Sequence, residues 1–252
     1  MELNRIYLQE CLEGMNKIDE KSIDMILCDL PYGTTDCEWD NIIPFDKLWE
    51  QYERIIKEAG VICLFASQPF TSKLVMSNLK MFKYEYIWQK EQGVNFQLAK
   101  KQPLKITESI LVFYKKFQNY NPIGVKKINK TKTNKNKGGG INHLSSNSSF
   151  YVQEYTNYPT NLLKFNREVG IHPTQKPVSL CEYLIKTYTK ENDIVLDNCM
   201  GSGTTAIACM NTNRNFIGFE TNEEYYNKSI ERINNQKEKL KPTKKLSQYL
   251  IY

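Results

Sequence analysis

The sequence predicts an α/β domain with a mainly parallel sheet. Short apolar runs rich in β-branched residues alternate with amphipathic segments, and this alternation is typical of parallel strands covered by helices. The 252 residues, 40% of them hydrophobic, suffice for one large domain or for one domain with an insertion. Seven runs have the character of strands, at residues 5–9, 23–29, 60–66, 83–88, 109–115, 193–198 and 215–220.

Two helices that cover such a sheet can be recognised by their spacing. Pro44 suits the first turn of a helix, and the apolar side chains after it recur at helical spacing: Phe45, Leu48, Trp49, Tyr52, Ile55 and Ile56. Pro177 precedes a similar stripe of Leu180, Cys181, Leu184, Ile185 and Tyr188. No strong helix separates the fourth and fifth strands, so we expect them to form an antiparallel pair at one edge of the sheet.

A lysine-rich segment interrupts the alternation. Residues 115–140 contain eight lysines and no acidic residue, and polar sequence continues to about residue 169. The segment has too little apolar sequence to order itself alone, so we expect part of it to be a mobile loop. It is either a solubilising loop or an arm that contacts phosphates, in which case the DNA-binding candidates are Lys126, Lys127, Lys130, Lys132, Lys135 and Lys137.

Composition excludes several classes of protein. The formal charge of +6 favours a polyanionic partner only weakly, since a modest excess of lysine is common on ordinary surfaces. Seven cysteines without a CxxC pair, and two histidines, give no pattern of metal ligands, so we expect reduced, mostly buried thiols and no metal. The sequence has neither a secretory signal nor an apolar stretch of membrane-spanning length, and we expect a cytoplasmic protein without a membrane partner.

Residues 193–220 have the pattern of a nucleoside-binding site. A strand leads into Gly201, Ser202 and Gly203, a helix follows from about Thr204, and the next strand ends on Glu220. Glycines let a ligand approach the backbone, and an acid at the next strand end can bind both ribose hydroxyls. A glycine-rich turn beside a surface glutamate is the alternative. A nicotinamide dehydrogenase would need its remaining strands from the N-terminal half, because only about thirty residues follow this acid.

A second strand end has an unusual turn. The run at residues 23–29 ends on Asp29, and Leu30, Pro31 and Tyr32 follow, so that an acid, a proline and an aromatic ring stand at the mouth of a buried strand. The pattern D-x-P-Y alone is a weak motif. Asp29 could instead cap a turn while Tyr32 packs into the surface.

The chain resembles the DNA amino-methyltransferases that use S-adenosylmethionine in six segments, QECLEGM, DLPYG, ESILVF, HPTQKP, DNCMGSGTT and FIGFE. Their order resembles the permuted arrangement called the β group, in which the catalytic motif precedes the cofactor motif. Protein glutamine methyltransferases have the reverse order. The resemblance implies a seven-stranded, circularly permuted sheet of the methyltransferase type. It also implies four parts: a catalytic half (1–116), an inserted target recognition region with the lysine-rich loop (117–169), a cofactor-binding half (170–236) and a basic tail (237–252).

The resemblance assigns the catalytic turn. An exocyclic amine of a base is a poor nucleophile, because its lone pair is delocalised into the ring. The carboxylate of Asp29 and the main-chain carbonyl of Leu30 are expected to accept hydrogen bonds from this amine, while Tyr32 stacks on the flipped base and Pro31 fixes the turn. Leu30 stands where the family usually has proline, which puts the rigidity of the turn in doubt.

The resemblance also assigns residues to S-adenosylmethionine. They are Glu10, Asp29, Thr174, Lys176, Asp197, Cys199, Gly201, Ser202, Gly203, Thr204 and Glu220. Thr174 and Lys176 are expected to hold the carboxylate of its methionine end, although HPTQKP could also be a plain loop that leads into a helix. Glu10 is either a contact of the adenosine or a solvent-exposed carboxylate. Asn198 and Cys199 stand where the family usually has proline and phenylalanine.

The function that the resemblance implies is site-specific methylation of adenine N6 in DNA. Asp29 fits this target, since the cytosine-N4 enzymes of the family more often have serine there, but cytosine N4 remains an alternative. Leu30 and Cys199 keep open a nucleic-acid-binding module without turnover. The expected partner is double-stranded DNA. The sequence leaves open whether a cognate restriction enzyme accompanies the chain and whether it acts as a monomer or a homodimer.

Overall fold

The computed structural model describes residues 1–33, 41–116, 120–133, 150–168 and 175–241. The strands in these ranges are β1 Arg5–Leu8, β2 Ile23–Asp29, β3 Ile56–Ala66, β4 Phe82–Val94, β5 Lys105–Tyr114, β6 Lys126–Thr133, β7 Phe150–Thr156, β8 Leu162–Lys164, β9 Ile194–Asp197 and β10 Asn215–Glu220. The helices are α1 Cys11–Met15, α2 Phe45–Ile55, α3 Phe70–Ser77, α4 Val178–Tyr188, α5 Thr204–Asn211 and α6 Glu223–Leu240. None of these helices is long and apolar enough to cross a membrane.

Eight of the strands form one sheet, in the order β1-β10-β9-β2-β3-β5-β4-β8. The neighbours from β1 to β3 are all parallel, and β5 runs antiparallel to both β3 and β4. The mainly parallel α/β fold that the sequence predicts is therefore confirmed. The antiparallel pairing of the fourth and fifth predicted strands, β4 and β5, is confirmed as well.

The sheet has one strand more than the seven that the sequence predicts. The additional strand, β8, pairs in parallel with β4, and its central residue Leu163 lies opposite Trp88. The antiparallel pair consequently does not lie at the sheet edge. Three residues are too few to show the alternation by which a strand is recognised in a sequence, which explains the difference.

The β4–β5 hairpin is longer than the apolar runs that predict it. β4 continues to Val94 and β5 begins at Lys105, so that each strand includes a polar section beyond its apolar core. Glu108 lies in this section of β5, opposite Trp88 at the end of the apolar run of β4. The extension places charged side chains of the hairpin beside the end of β3, since Ser109 pairs with Ala66.

Helices cover both faces of the sheet. On one face α1, α2 and α3 pack against a core that contains Ile26 and Cys28 of β2. On the other face α4, α5 and α6 pack against Met25 and Leu27. This division follows from the strand geometry, because successive side chains of a strand point to opposite faces. The helices predicted after Pro44 and Pro177 are α2 and α4. α4 buries its whole predicted stripe, whereas in α2 Phe45 is only partly buried and Ile56 already belongs to β3.

Acidic residues collect at one edge of the sheet. Asp29, Asp197 and Glu220 are the last residues of β2, β9 and β10, and Glu10 follows β1 closely. The carboxyl ends of parallel strands share an edge, so these four side chains point into the same region. The chain leaves β2 towards β3 on one side and β9 towards β10 on the other, which makes the boundary between β2 and β9 the switch point of the topology.

The chain divides into two compact units, one of Met1–Tyr120 with Asn161–Tyr252 and a smaller one of Asn121–Thr160. The smaller unit contains the antiparallel pair β6 and β7. Residues 126–133 of the lysine-rich segment are therefore a strand, although the sequence predicts a mobile loop for part of that segment. Residues 134–149 lie outside the described ranges, and the expected division into four parts stays a prediction.

Candidate active site

A cavity of about 440 Å³ opens at the carboxyl ends of β2, β9 and β10. Sites for small ligands usually have about 300–1,000 Å³. The cavity lies at the switch point of the topology, where open α/β sheets bind their ligands. Its lining combines acidic side chains, the main chain of the glycine-rich turn and apolar groups such as Phe65 and Phe219.

Asp29 presents its carboxylate to this cavity from the end of β2. Oδ1 accepts a hydrogen bond of 2.7 Å from the hydroxyl of Tyr32. The ring of Tyr32 stacks on Phe70, with centroids 5.0 Å apart and planes at 25°. Burial, together with the negative charge of Asp29, raises the pKa of Tyr32 well above its ordinary value, so its hydroxyl remains a donor to the carboxylate.

The side chain of Leu30 anchors the turn that follows β2. It is buried in the core on the α1–α3 face of the sheet, with 4% of its surface exposed. Pro31 and Tyr32 follow it along the wall of the cavity. Packing of Leu30 therefore restrains the turn at the position where the DNA amino-methyltransferases usually have proline. The main-chain carbonyl of Leu30 is present whatever the side chain.

The turn after β9 is held by Asp197. Its carboxylate accepts hydrogen bonds from the hydroxyl of Thr205 at 2.6 Å and from the amide of Cys199 at 3.1 Å. The side chain is buried, and burial raises its pKa to about 6 although both hydrogen bonds favour the charged form. Asp197 thus ties the start of the glycine-rich turn to the first turn of α5.

Gly203 is required by the backbone at the start of α5. Its φ of +79° lies in the left-handed region, and a Cβ atom there would come within 3.1 Å of Cβ of Ser229. A side chain at this position would strain the backbone and press against α6. The glycine therefore allows the turn to close tightly on α6.

Glu220 joins the end of β10 to the glycine-rich turn. Oε2 accepts a hydrogen bond of 2.7 Å from the amide of Gly201, and Oε1 accepts from the amides of Thr221 and Asn222 at 2.9 and 2.8 Å. These donors fix the carboxylate at the cavity wall. A carboxylate oxygen can accept more than one hydrogen bond, so Glu220 retains capacity for the hydroxyls of a ribose.

Glu10 has a structural role that the sequence did not indicate. It precedes α1 and caps it, since Oε2 accepts a hydrogen bond of 2.9 Å from the amide of Glu13. The residue is exposed and also lines the cavity. Partial burial opposes its charged form, but hydrogen bonds from the amides of Leu12 and Glu13 prevail and lower its pKa.

Asn198 and Cys199, where the family usually has proline and phenylalanine, fit their surroundings. The amide oxygen of Asn198 accepts a hydrogen bond of 2.5 Å from the hydroxyl of Tyr52 on α2. Asn198 is buried, and this bond satisfies its oxygen. Cys199 lines the cavity.

A buried charge network lies behind Asp29 and consists of Lys90, Glu108, Lys176 and Asp29 itself. The ammonium group of Lys176 lies 2.5 Å from Oδ2 of Asp29 and 3.6 Å from Oε2 of Glu108. Lys90 donates to Oε1 of Glu108 at 2.7 Å. The exposed fractions of Lys90, Glu108 and Lys176 are 7%, 13% and 8%.

Sequence reasoning missed two members of this network. Glu108 belongs to the segment ESILVF, which the resemblance singled out without assigning its acid, and Lys90 lies in the polar extension of β4. A signal was present, because an acid and a lysine at neighbouring ends of an apolar hairpin are expected to pair. The sequence gives no indication that Lys176 reaches both carboxylates.

Most of the predicted site residues line one cavity. They are Glu10, Asp29, Leu30, Pro31, Tyr32, Lys176, Asp197, Cys199, Gly201, Ser202, Thr204 and Glu220. Gly203 shapes the adjoining turn and is not part of the lining. Thr174 lies outside the described residues.

The predicted DNA-binding lysines are in the smaller unit. Lys126, Lys127 and Lys130 are exposed on β6, and Lys132 belongs to the same strand. Lys135 and Lys137 lie outside the described residues. No described group of histidine, cysteine or acidic side chains is arranged to hold a metal ion.

The cavity suits a nucleoside that carries a positive charge. Glu220 offers a carboxylate to ribose hydroxyls, and the apolar side chain of Phe219 suits a flat ring. Asp29 and Asp197 add negative charge, which suits a cation such as a sulfonium. These acceptors, aromatic groups and charges correspond to the chemical groups of S-adenosylmethionine.

Comparison with known proteins agrees with this geometry. The family model N6_N4_Mtase, described as DNA methylase, matches residues 23–231. The DNA adenine methyltransferase YhdJ of Escherichia coli (strain K12) is 29% identical over 245 residues, which cover 89% of this chain and 80% of YhdJ.

Two solved structures share the fold along nearly the whole chain. The M1.HpyAVI–SAM complex has 26% identity and a TM-score of 0.62, and the alignment covers 91% of this chain and 98% of that one. The PvuII DNA methyltransferase, described as cytosine-N4-specific, has 16% identity and a TM-score of 0.67, with 93% and 91% covered.

Proposed function

The chain belongs to the N6_N4_Mtase family of DNA methylases, and from this premise we propose that it methylates adenine N6 at a specific site in double-stranded DNA. As a member of that family it is a DNA methyltransferase that depends on S-adenosylmethionine. The proposal concerns the target base, the DNA form and the roles of individual residues.

The observation that carries the proposal is the position of Asp29. Its carboxylate faces the same cavity as Gly201 and Glu220, which belong to the cofactor segment of the sequence. An acceptor for the target amine and a cradle for the methyl donor thus share one space. Such alignment of two reactants can supply a large part of a rate enhancement.

The chemistry requires the lone pair of an exocyclic amine to become available for attack. When bound, S-adenosylmethionine supplies a methyl group that is activated by its sulfonium. The carboxylate of Asp29 and the main-chain carbonyl of Leu30 accept hydrogen bonds from the amine and stabilise the positive charge that develops on its nitrogen. Tyr32, fixed by Phe70 and by Asp29, stacks on the extruded base, and Pro31 restrains the turn.

The cofactor residues that we propose come from the lining of the cavity and, in the case of Gly203, from the adjoining turn. Glu220 binds the ribose hydroxyls, Glu10 lies towards the adenosine, and the amino-acid end extends towards Asp29. The remaining contacts that we propose are those of Asp197, Cys199, Gly201, Ser202, Gly203 and Thr204. Thr174 and Lys176 were expected to hold the methionine carboxylate, but the contacts described for Lys176 go to Asp29 and Glu108.

Adenine is favoured as the target by two observations. Asp29 occupies the position where serine is more frequent in cytosine-N4 enzymes, and YhdJ, a DNA adenine methyltransferase, is similar along most of the chain. The fold shared with the PvuII enzyme keeps cytosine N4 as the second candidate. The side chain of Leu30 packs into the core and restrains the turn after β2, so this departure from the family pattern does not by itself favour a binding module without turnover.

The DNA contacts are assigned to the lysines of β6 together with Lys135 and Lys137, and a cytoplasmic location agrees with a DNA substrate. A cognate restriction enzyme is a further partner to test. Whether the chain acts as a monomer or as a homodimer is a separate question for experiment.

The experiment that tests the function is expression in a methylation-deficient host, followed by single-molecule sequencing and mass spectrometry of the nucleosides. We expect N6-methyladenine in one recurrent sequence, and no mark with Asp29→Ala. The control is Asp46→Ala, an exposed acid on α2, which should leave the mark intact. Detection of N4-methylcytosine would mean that the target base is cytosine and that the mechanism is retained. If folded wild-type protein left no methylated base in the DNA, the proposal would be refuted.

A further inference from the structure

The buried charge network contains one oxygen atom without a hydrogen bond. Among the described residues, Oε2 of Glu108 is buried and accepts no hydrogen bond, although Oε1 is occupied by Lys90. The ammonium group of Lys176 lies 3.6 Å from Oε2. An unsatisfied buried carboxylate oxygen is costly, so its presence beside the catalytic turn calls for a physical reason.

Lys176 lies between two carboxylates. Its ammonium group is in contact with Asp29 at 2.5 Å, and a shift of about 1 Å would bring it into hydrogen-bond distance of Glu108. Burial disfavours the charge of Lys176, but Asp29 and Glu108 outweigh burial and raise its pKa, so the ammonium persists. The pKa of Glu108 is lowered, because the positive charges of Lys176 and Lys90 outweigh the effect of burial, so this carboxylate also stays charged.

Methyl transfer changes the charge that Lys176 faces. As the bond between the amine nitrogen and the methyl carbon forms, the bond of that carbon to sulfur breaks, and the nitrogen must then lose a proton. Asp29 is the acceptor in contact with the amine under the proposed function. A protonated Asp29 no longer compensates the charge of Lys176, so the carboxylate of Glu108, 3.6 Å away, then attracts the ammonium group more strongly than Asp29 does.

We propose that Lys176 is a positioning residue for Asp29 and that Glu108 is its alternative partner. The ammonium group of Lys176 moves to Glu108, which Lys90 holds in place, when Asp29 takes up the proton of the methylated amine. While Lys176 contacts Asp29, it holds the carboxylate in its orientation towards the cavity. After the move, Asp29 can hold the proton. The inference rests on the proposed function and assigns to Lys176 a role other than binding of the methionine carboxylate.

The test measures the protonation of Asp29 directly in the full chain without cofactor or DNA. Carbon-13 labelling of aspartate side chains gives a titration curve of Asp29 by NMR, assigned with Asp29→Asn. Within the described ranges, the titratable groups that face Asp29 are the hydroxyl of Tyr32, Lys176 with Glu108 and Lys90 behind it, Cys28 beside it on β2, Cys181 on α4, and Asp197 from β9. None of these groups except the substituted one differs between the variants compared below.

Two variants should move the midpoint of this titration in opposite directions. Lys176→Met removes the cation and should raise the midpoint by about one pH unit or more. Glu108→Gln removes the negative charge that competes with Asp29 for Lys176. The ammonium group then stays on Asp29, and the midpoint of the Asp29 titration should fall. The matched control is Lys57→Met, which breaks the 2.7 Å ion pair with Asp24 at the other end of β2 and should leave Asp29 unchanged.

Binding and turnover separate this role from the alternatives. Titration calorimetry with S-adenosylmethionine should give wild-type affinity for Lys176→Met, while single-turnover methylation falls by about a hundredfold or more. Weaker cofactor binding with an unchanged titration of Asp29 would overturn the inference in favour of a carboxylate contact. If Lys176→Met does not fold, Glu108→Gln decides, because an unmoved or raised midpoint contradicts the inference.

Failure of the inference and failure of the proposed function are distinguishable. An active wild-type enzyme whose variants show unmoved titration curves refutes the inference alone. An inactive wild type refutes the function, while opposite shifts in the two variants would still support the contact of Lys176 with both carboxylates.

Discussion

Glu220 accepts a hydrogen bond of 2.7 Å from the main-chain amide of Gly201, so that the end of β10 and the turn after β9 form one continuous wall of the cavity. The bond joins an acid and a glycine that are nineteen positions apart in the sequence. It orients the carboxylate of Glu220 without exhausting its acceptor capacity. Glu220 therefore both stabilises the conformation of the glycine-rich turn and remains able to accept hydrogen bonds from a ligand.

Glu220→Gln should weaken binding of S-adenosylmethionine. The amide group accepts fewer hydrogen bonds than the carboxylate and carries no charge, so hydrogen bonds worth about 1.5–3 kcal/mol are at stake, or roughly ten- to a hundredfold in affinity. Titration calorimetry measures the change. Glu223→Gln, an exposed acid in the first turn of α6, is the matched control and should bind as wild type. Equal affinities for both variants would contradict the role of Glu220.

Gly203→Ala should lower both stability and cofactor affinity. The left-handed backbone costs about 1–2 kcal/mol for a residue with a side chain. Its Cβ would also meet Cβ of Ser229 at 3.1 Å, so the turn must shift. Gly124→Ala is the control, because Gly124 also has a positive φ, of +91°, but lies in the smaller unit. Thermal unfolding and calorimetry should show a loss of stability in both variants and a loss of cofactor affinity only in Gly203→Ala.

The sequence predicts the ends of the parallel strands well, and the site depends on those ends. Asp29 and Glu220 each end an apolar run and Gly201 follows closely after another, so their common edge follows once the sheet is parallel. Glu108 and Lys90 could not be assigned in the same way, because their pairing depends on the register of a hairpin that extends beyond its apolar core. The contact of Lys176 with Asp29 joins residues 147 positions apart, and no local pattern indicates it.

Asp197→Asn should remove a pH dependence of stability. Burial raises the pKa of Asp197 to about 6 in the folded chain, above its ordinary value of 3.8. As pH rises from about 4 to 6, the unfolded chain loses this proton before the folded chain does, so wild-type stability falls across that window by an amount of order 2–3 kcal/mol. Above pH 6 the loss is complete. Denaturant unfolding at pH 4.5 and 7 should show this decline in the wild type and a smaller one in the variant. An equal decline in both proteins would contradict the assignment.

Lysines 126, 127 and 130 should make DNA binding depend on salt. All three are exposed on β6, with no acidic residue on that strand. Each phosphate contact contributes about 0.9 to the slope of log affinity against log salt, so replacement of the three by glutamine should flatten the slope by up to about 3. The matched control replaces Lys47, Lys73 and Lys80, which are exposed on or next to α2 and α3 and change the net charge equally. Binding of a fluorescent duplex at several salt concentrations measures both slopes. An equal effect of the two triple variants would indicate a general effect of charge, and an unchanged slope would identify the lysines of β6 as a solubilising surface.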